Sequence, residues 1–301
     1  MDESGFTTLA NARVVIVGLG LMGGSLALAL AGANACREII GVDTDSAART
    51  FALQQGFVHR TADFDPEGTL AASDLLILAT PVRAILDQLA SITNNQLPIT
   101  NLHASRPISI LDLGSTKSAI VAAMKDLPEH FDPLGGHPMC GKETGGIAQA
   151  DAGLFRSKTF VLTPLERTSP KALALAHELI GAIGAVPLLL DAETHDAYAA
   201  AISHLPYAVS IALMQTALAS DSEALWQMAA SGFRDATRLA ASDLTMMTDI
   251  LLTNRAAVLN SLSNFRAELE ALTAALESGN PAALRAALES GAATLTAELV
   301  E

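Results

Sequence analysis

Arg13-Val-Val-Ile-Val-Gly-Leu-Gly-Leu-Met-Gly-Gly-Ser-Leu-Ala-Leu28 is the stretch that decides the fold. A β-branched run is followed by glycines and then by a helix-forming run, which predicts a strand, a tight turn and a helix. Gly18, Gly20 and Gly23 occupy the G-x-G-x-x-G positions. The first glycine permits the turn, the second lets the backbone approach a pyrophosphate, and the third lets the helix pack on the strand. We therefore predict a dinucleotide-binding unit.

A carboxylate follows where a ribose would bind. The second predicted strand ends at Asp43, 25 residues after Gly18, where an acidic side chain accepts hydrogen bonds from ribose hydroxyls. The same carboxylate repels a 2′-phosphate, and Arg49 is the one arginine that closely follows it. We predict NAD as the cofactor, with NADP as the alternative. The predicted cofactor contacts are Gly18, Leu19, Gly20, Leu21, Met22, Gly23, Asp43, Thr80, Pro81 and Ser115.

The first half of the chain alternates short apolar runs with helical patterns, which is typical of parallel βαβ units. Several runs are apolar throughout, as expected when helices cover both faces of a sheet. The predicted strands are residues 13–18, 38–43, 74–80, 108–113, 159–164 and 186–191, and the predicted helices include residues 23–33, 46–55 and 82–90. A stretch rich in glycine, residues 134–146, is predicted to be a functional loop.

After Asp191 the strand signals stop, and good helix formers dominate. Apolar residues spaced by four and three predict one face of a long helix, interrupted near residues 278–281; they are Val258, Leu262, Phe265, Leu269, Leu272 and Leu276. A single apolar face usually packs into the core of its own chain, and the length of this one makes a seam between two copies of the chain an equal alternative. We predict an α/β Rossmann-type dinucleotide-binding domain, residues 1–190, and then an all-α dimerisation domain, residues 191–301.

The composition limits the class of protein. The 301 residues include 32 acidic and 18 basic side chains, a net charge of −14, so the surface should repel nucleic-acid phosphates. The chain is half hydrophobic, which argues against disorder. Cys36 and Cys140 are too few for a disulfide scaffold and suit a reducing compartment. The seven histidines show no metal-ligand spacing, so we predict no metal site.

Two uncharged runs require interpretation. Residues 14–36 superficially resemble an export signal, but residues 1–13 are net acidic where such a signal is basic. Gly18, Gly20, Gly23 and Gly24 also make this run a poor membrane helix. The second run, residues 197–220, contains His204, Pro206 and Gln215 and is predicted to be a buried helix. We predict a cytoplasmic protein without membrane association.

The glycine-rich stretch contains a candidate base. His137 lies in Gly135-Gly-His-Pro-Met-Cys-Gly141, predicted to follow a strand. An imidazole accepts a proton near neutral pH, and a nicotinamide enzyme that oxidises an alcohol needs such a base. Ser115 and Lys117, just past another strand, would contact a hydroxyl or the cofactor. The alternative is a loop histidine that only hydrogen-bonds the backbone.

The helical half contains two further candidate features. Ser203-His-Leu-Pro-Tyr207 places a proline inside a helical pattern, which kinks the helix and releases backbone polar groups. Arg234 and Arg238 are predicted to share one helical face, which favours recognition of a carboxylate in an acidic chain. The alternative for the arginines is ion pairing with nearby carboxylates.

Together, these motifs resemble the prephenate/arogenate dehydrogenase family of tyrosine biosynthesis. The matching stretches, in family order over about residues 13–260, are VVIVGLGLMGGSLA, ILATPV, DLGSTKSAI, GGHPMCGKETGG, FVLTP, THDAYAAAISHLPYAVSIAL and SGFRDATRLAASD. The resemblance implies an NAD(P)-dependent oxidoreductase with a small-molecule substrate. It also implies a homodimer joined through the helical domain.

The resemblance implies two catalytic residues. His137 would hydrogen-bond the ring hydroxyl and accept its proton, and Ser115 would orient that hydroxyl and His137. Hydride transfer and loss of CO2 would give 4-hydroxyphenylpyruvate from prephenate, or tyrosine from arogenate.

Substrate contacts are implied in the same way. Arg238 would bind the ring carboxylate, His204 would lie in the helical wall of the site, and Glu143 would lie near the substrate entrance. Tyr207 and Arg234 complete the predicted substrate-binding set.

The chain departs from the family pattern at two positions. Tyr207 stands where many prephenate-preferring members have a second histidine, and many also have a tryptophan near Met247, where this chain reads Thr-Met-Met. Both changes are familiar from arogenate-preferring members, whereas Glu143 is typical of prephenate-type loops. We predict prephenate as the substrate, with arogenate as the alternative.

Two other classes share part of the pattern. A β-hydroxyacid dehydrogenase has a similar glycine motif but uses a catalytic lysine in its second domain, and this chain has no lysine after Lys171. A non-catalytic dinucleotide sensor would bind NAD and leave His137 without a role.

Overall fold

The structure, a computed structural model, describes residues 8–64, 69, 73–94, 107–142, 144–220 and 222–298. Two units divide the chain, Met1–Asn254 and Arg255–Glu301. The first contains a sheet, its covering helices and a further group of helices, and the second contains a pair of long helices. The predicted domain boundary after residue 190 falls inside the first unit and stays a prediction.

Eight strands of the first unit form one sheet. They are β1 (Arg13–Val17), β2 (Glu38–Val42), β3 (Arg60–Ala62), β4 (Leu75–Leu78), β5 (Ile108–Asp112), β6 (Phe131–Pro138), β7 (Thr159–Pro164) and β8 (Val186–Leu189). Their order across the sheet is β3-β2-β1-β4-β5-β6-β7-β8. Neighbouring strands are parallel except for β6 and β7. The predicted Rossmann-type α/β fold is therefore confirmed.

Helices fill the connections and the second half of the chain. They are α1 (Leu21–Gly32), α2 (Ser46–Gln54), α3 (Val82–Asn94), α4 (Ser118–Lys125), α5 (Pro170–Ala182), α6 (Ala192–Ala199), α7 (Leu205–Leu218), α8 (Glu223–Met228), α9 (Ser231–Thr237), α10 (Leu244–Thr253), α11 (Arg255–Glu277) and α12 (Pro281–Glu298). A π-helical turn, Ala200–His204, joins α6 to α7, and a 3-10 turn, Arg238–Ala241, follows α9. Each predicted strand contains an observed one. Two observed strands were not predicted: β3, which is too short and polar to give a signal, and β6.

Side chains of β1 alternate between two apolar cores. Val14 and Ile16 pack with residues of α1, α2 and α5 on one face of the sheet. Val15 and Val17 pack with residues of α3 and α4 on the other face. Burial on both faces explains why the strand is apolar at every position after Arg13.

The prediction of a loop over residues 134–146 is wrong for its first part. Residues 134–138 belong to β6, and His137 pairs in register with Val161 of β7. A Cβ on Gly136 would lie 2.6 Å from the carbonyl oxygen of Asp112 and 2.8 Å from Cδ1 of Leu111. Glycine is needed here because β5 approaches too closely for a side chain, so it serves packing rather than flexibility.

The helical run Ala192–Leu218 is the one helix of the described residues that is long and apolar enough to cross a membrane. Its buried side chains include His195, Asp196 and Ser210, which hydrogen-bond to other parts of the first unit. These contacts hold the helix in the fold of this chain. The prediction of a buried helix over residues 197–220 is wrong for its outer face, because no element of the first unit covers Ile202 and Leu218, which are 68% and 56% exposed.

The second unit confirms the predicted long helix and its interruption. α11 ends at Glu277 and α12 begins at Pro281. Apolar side chains of the predicted face, among them Leu269 and Leu276, stay substantially exposed. An apolar face of this extent is available for contact with another molecule.

Candidate active site

The glycine turn after β1 has the geometry that its sequence predicts. Gly18 has a φ of +94°, and a Cβ there would lie 2.8 Å from the carbonyl oxygen of Ala79. A Cβ on Gly23 would lie 1.9 Å from the carbonyl oxygen of Gly18, so α1 packs directly on the turn. At Gly20, by contrast, a Cβ meets no heavy atom of the described residues within 4 Å. This open space at the N-terminus of α1 fits the backbone approach of a pyrophosphate.

Asp43 follows β2 and contacts this turn. Its Oδ2 accepts a hydrogen bond from the Leu19 backbone N at 2.6 Å, and its Oδ1 accepts one from Asp45 N at 2.8 Å. Arg49 donates to the backbone carbonyl of Asp43 and lies 3.6 Å from the carboxylate of Asp63. The carboxylate therefore braces the glycine turn and stands where the sequence predicts a ribose contact.

The other predicted cofactor contacts lie at the same edge of the sheet. Leu21 and Met22 form the first turn of α1. Thr80 and Pro81 follow β4, the neighbour of β1, and the half-buried Ser115 follows β5. The carboxyl ends of these parallel strands share one edge, which is where open α/β sheets bind ligands.

His137 lies near the end of β6, is partly exposed and takes part in a chain of hydrogen bonds. Its Nδ1 lies 2.8 Å from Nε2 of His195, and Nδ1 of His195 lies 2.9 Å from Oδ1 of Asp196. Oδ1 of Asp196 also accepts from the backbone N of Lys117 at 2.7 Å, and its Oδ2 accepts from Ser118 N at 2.8 Å. The start of α6 is thereby fastened to the turn after β5 and to His137.

A buried ion pair lies behind His137. Lys117 is fully buried, and its Nζ pairs with Oδ2 of Asp112 and donates to the carbonyl of Gly136 at 2.6 Å. Oδ1 of Asp112 accepts from Gly136 N at 3.1 Å. The two side chains therefore clamp the residue before His137. The prediction that Lys117 contacts a hydroxyl or the cofactor is wrong, because its ammonium is committed to this pair.

The surroundings of His137 favour its neutral form. Burial lowers its pKa well below 6.5, and the charges of His195, Lys117 and His204 lower it further, whereas Asp196 opposes them. Burial also lowers the pKa of His204 to about 4. Both imidazoles are neutral at pH 7, so His137 is in the form that accepts a proton.

His204 joins the same network through an asparagine. It ends the π-helical turn and is buried, and its Nδ1 lies 3.2 Å from Nδ2 of Asn254. Nδ2 of Asn254 also donates to the backbone carbonyl of Asp196 at 2.7 Å. The helix departs from α geometry directly before Pro206, as the predicted distortion requires, and such turns are frequent at functional sites.

Tyr207 lies on a second group of buried residues. It packs with Met247 and Ile250, and it is 7% exposed. Tyr207, which departs from the family pattern, therefore shares a cluster with Met247, near which the second departure lies.

Arg234 and Arg238 follow α7 in the sequence, and both are exposed. α9 ends at Thr237 and the chain continues as a 3-10 turn from Arg238, so the shared helical face of the two arginines stays a prediction. That turn is tied to α7, since Ala240 N donates to Oγ of Ser210 at 2.9 Å. Glu143 lies outside the described residues.

His195, Asp196 and Asn254 belong to the site but were not predicted from the sequence. The adjacent polar pair His195-Asp196 in a helical run was a usable signal, because such residues are rarely buried without partners. His204 follows His195 by nine residues across the π-helical turn, and both side chains are buried. Asn254 gives no local signal. Among the described residues, no group of three or more His, Cys, Asp or Glu side chains could hold a metal ion.

Two family models match adjacent parts of the chain. The nucleotide-binding domain of prephenate dehydrogenase matches residues 26–189, and the dimerization domain of prephenate dehydrogenase matches residues 191–290. The chain belongs to the prephenate dehydrogenase family. The resemblance seen in the sequence motifs is thereby confirmed.

Other members of the prephenate dehydrogenase family are similar over most of the chain. The prephenate dehydrogenase of Bacillus subtilis (strain 168) is 32% identical over 267 residues, which cover 88% of this chain and 70% of that protein. The Aquifex aeolicus prephenate dehydrogenase in complex with hydroxyphenyl propionate and NAD+ has a TM-score of 0.85 at 26% identity, covering 96% of this chain and 99% of that one. The Synechocystis arogenate dehydrogenase has a TM-score of 0.79 at 30% identity, covering 95% and 100%.

Proposed function

We propose that this chain catalyses the NAD-dependent oxidative decarboxylation of prephenate to 4-hydroxyphenylpyruvate, a reaction of tyrosine biosynthesis. The observation that carries the proposal is His137, a neutral and partly exposed imidazole at the sheet edge that also bears the glycine turn. The prephenate dehydrogenase of Bacillus subtilis and the Aquifex aeolicus complex with NAD+ support the same reaction.

The glycine turn and Asp43 fit a dinucleotide. The first N–H groups of α1 and the open space at Gly20 suit a pyrophosphate, and the Asp43 carboxylate suits an unphosphorylated ribose. NAD held by these residues would supply the acceptor for the hydride that leaves the ring carbon carrying the hydroxyl. Asp43→Ala should narrow the preference for NAD over NADP, and an unchanged ratio of the two kcat/KM values would remove Asp43 from the ribose site.

His137 acts as the general base. Its Nδ1 faces His195, so Nε2 is the atom that accepts the proton of the ring hydroxyl. Ser115, half-buried at the end of β5, orients that hydroxyl. Arg238 binds the ring carboxylate, whose loss as CO2 aromatises the ring and makes the reaction effectively irreversible. The chain therefore has to orient the substrate and remove one proton.

Arogenate is the alternative substrate. Tyr207 differs from the pattern of prephenate-preferring members, and the second departure lies near Met247 of the same cluster. The similarity to the Synechocystis arogenate dehydrogenase supports this alternative as well. In that case the same chemistry at His137 releases tyrosine directly.

Initial rates test both substrates. Purified protein is assayed with prephenate or arogenate and with NAD or NADP, and formation of the reduced cofactor and the aromatic product is followed. The larger kcat/KM identifies the preferred pair. His137→Asn should lower kcat by about 10²–10⁴-fold. Absence of turnover in every combination, with NAD binding intact, would favour a dinucleotide sensor instead.

We further propose a cytoplasmic homodimer. The match of residues 191–290 to a dimerization domain and the exposed apolar face of α11 support this assembly. Analytical ultracentrifugation should give twice the mass of the chain at micromolar concentration. A monomer under those conditions would contradict the proposal.

A further inference from the structure

We propose that His195 and Asp196 are positioning residues that hold His137 in the tautomer with its hydrogen on Nδ1, which leaves Nε2 free to accept a proton. The inference rests on the proposed function, because only a general base needs an unprotonated Nε2.

Asp196 is held as an acceptor. Its two carboxylate oxygens receive the backbone N–H groups of Lys117 at 2.7 Å and Ser118 at 2.8 Å, and an N–H group can only donate. Burial raises the pKa of this carboxyl, but the hydrogen bonds from His195, Ser118 and Lys117 outweigh burial and lower it. Asp196 is therefore ionised and accepts a third hydrogen bond.

The third donor is Nδ1 of His195, which lies 2.9 Å from Oδ1 of Asp196. An ionised carboxylate cannot donate, so His195 carries a hydrogen on Nδ1. In the neutral ring Nε2 is then an acceptor. The 2.8 Å contact between Nε2 of His195 and Nδ1 of His137 requires a hydrogen on His137 Nδ1. The tautomer of His137 follows from these two contacts.

The remaining contacts keep this arrangement rigid. Asn254 holds the backbone carbonyl of Asp196 at 2.7 Å, and the pair of Asp112 and Lys117 holds the residue before His137 from both sides. The groups whose charges shift the pKa of His137 are His195, Lys117, His204 and Asp196, and Asp196 is the anion among them, whereas the nearby Asp112 carboxylate is paired with Lys117. The anion therefore also stabilises the imidazolium that forms when His137 accepts a proton.

Two substitutions of His195 separate orientation from proton transfer. A glutamine has a terminal amide that can donate to Asp196 and accept from His137 Nδ1, as the imidazole does, but it cannot take up a proton. A leucine removes both contacts at similar volume. The matched control is His177→Leu, because His177 is a half-buried histidine of α5 that hydrogen-bonds only the carbonyl of Leu173 among its described contacts.

Kinetics should rank the variants by their ability to orient His137. We expect His195→Leu to lower kcat by about 10²–10⁴-fold, since a wrong tautomer at a catalytic histidine has an effect of this order. His195→Gln should stay within about tenfold of the parent, and His177→Leu should be unchanged. Thermal unfolding and NAD affinity establish that each variant is folded. Equal losses in the leucine and glutamine variants, or no loss in either, would overturn the proposal.

Asp196→Asn adds a readout that simple loss of structure would not move. Without the anion the pKa of His137 should fall, so the acid limb of the kcat/KM profile should move to lower pH while its plateau falls. An acid limb that stays in place would overturn the role assigned to Asp196.

Nitrogen-15 NMR of histidine side chains reads the tautomer without any turnover. Protein labelled at histidine is compared with His137→Asn, which identifies the signals of His137. The parent and His195→Gln should show the hydrogen of His137 on Nδ1, and His195→Leu should lose this preference. A hydrogen on Nε2 in the parent would overturn the proposal. If neither prephenate nor arogenate is turned over, the proposed function fails, and the NMR result still decides the tautomer.

Discussion

Removal of the buried ammonium of Lys117 tests the clamp behind His137. In Lys117→Met a side chain of similar length replaces a fully buried one, so the loss arises from charge and hydrogen bonds rather than from a large cavity. The Asp112 carboxylate then loses its ion pair and keeps the backbone donors Gly114 N at 2.8 Å and Gly136 N at 3.1 Å. Breaking a buried pair by removing one partner costs about 3–5 kcal/mol. The two remaining donors place this variant near the lower end of that range.

The double variant is the matched control for this prediction. Asp112→Asn combined with Lys117→Met leaves no buried ion at this place. Residues in direct contact couple by about 0.5–3 kcal/mol, so the double variant should be destabilised by less than the sum of the single variants. Urea unfolding followed by circular dichroism gives the midpoints and slopes for all three variants.

The same substitution should alter the chemistry of His137. The charge of Lys117 lowers the pKa of His137, so its removal should raise that pKa and move the acid limb of kcat/KM to higher pH. Loss of the hydrogen bond from Nζ to the carbonyl of Gly136 should also lower kcat. If Lys117→Met unfolds at the same urea concentration as the parent and its acid limb does not move, the reasoning about the clamp is refuted.

Three further predictions concern the glycine turn, the buried His204 and the exposed Arg238. Gly20→Ala should fold normally and weaken NAD binding at least tenfold. Gly23→Ala should have a much lower melting temperature, because its Cβ would lie 1.9 Å from a carbonyl oxygen. Equal melting temperatures of the two variants would contradict this contrast. His204 has a pKa of about 4 when folded and 6.5 as its ordinary value, so it contributes stability above pH 6.5 that is lost as the pH falls towards 4, up to about 3 kcal/mol. Urea unfolding of His204→Gln between pH 7 and 4 should show a correspondingly weaker pH dependence, and a slope equal to that of the parent would argue against this contribution. Arg238→Gln should raise the KM of the substrate strongly and leave NAD affinity unchanged, and equal weakening of both would assign Arg238 a structural role.

The sheet was predictable because its strands are buried on both faces. Residues Val14 to Val17 are apolar at every position, and the two cores account for each of them. The glycine turn was predictable for a similar reason, since a φ of +94° at Gly18 and the contact of Gly23 with the turn admit little but glycine. Local stereochemistry determines both features, and local sequence therefore reveals them.

The site was predictable only in part, because its remaining residues depend on contacts between distant parts of the chain. Gly135 and Gly136 give the same signal in a loop and in a strand, and the approach of β5 decides between the two. Asp196 lies 79 residues from Lys117 and 78 residues from Ser118 in the sequence. Its carboxylate nevertheless accepts hydrogen bonds from the backbone N–H groups of both residues. Nothing near His195 and Asp196 in the sequence indicates which donors they will meet.

The hydrogen bonds of Asp196 have a consequence for dissecting this protein into pieces. A fragment that stops at residue 190, where the family models also change over, would contain the glycine turn and His137 but neither His195 nor Asp196. It would expose the N–H groups of Lys117 and Ser118 that these contacts now satisfy. The shortest fragment with a fully supported base therefore extends to Asn254, so the boundary between the family domains and the boundary of the compact unit that supports His137 fall at different residues.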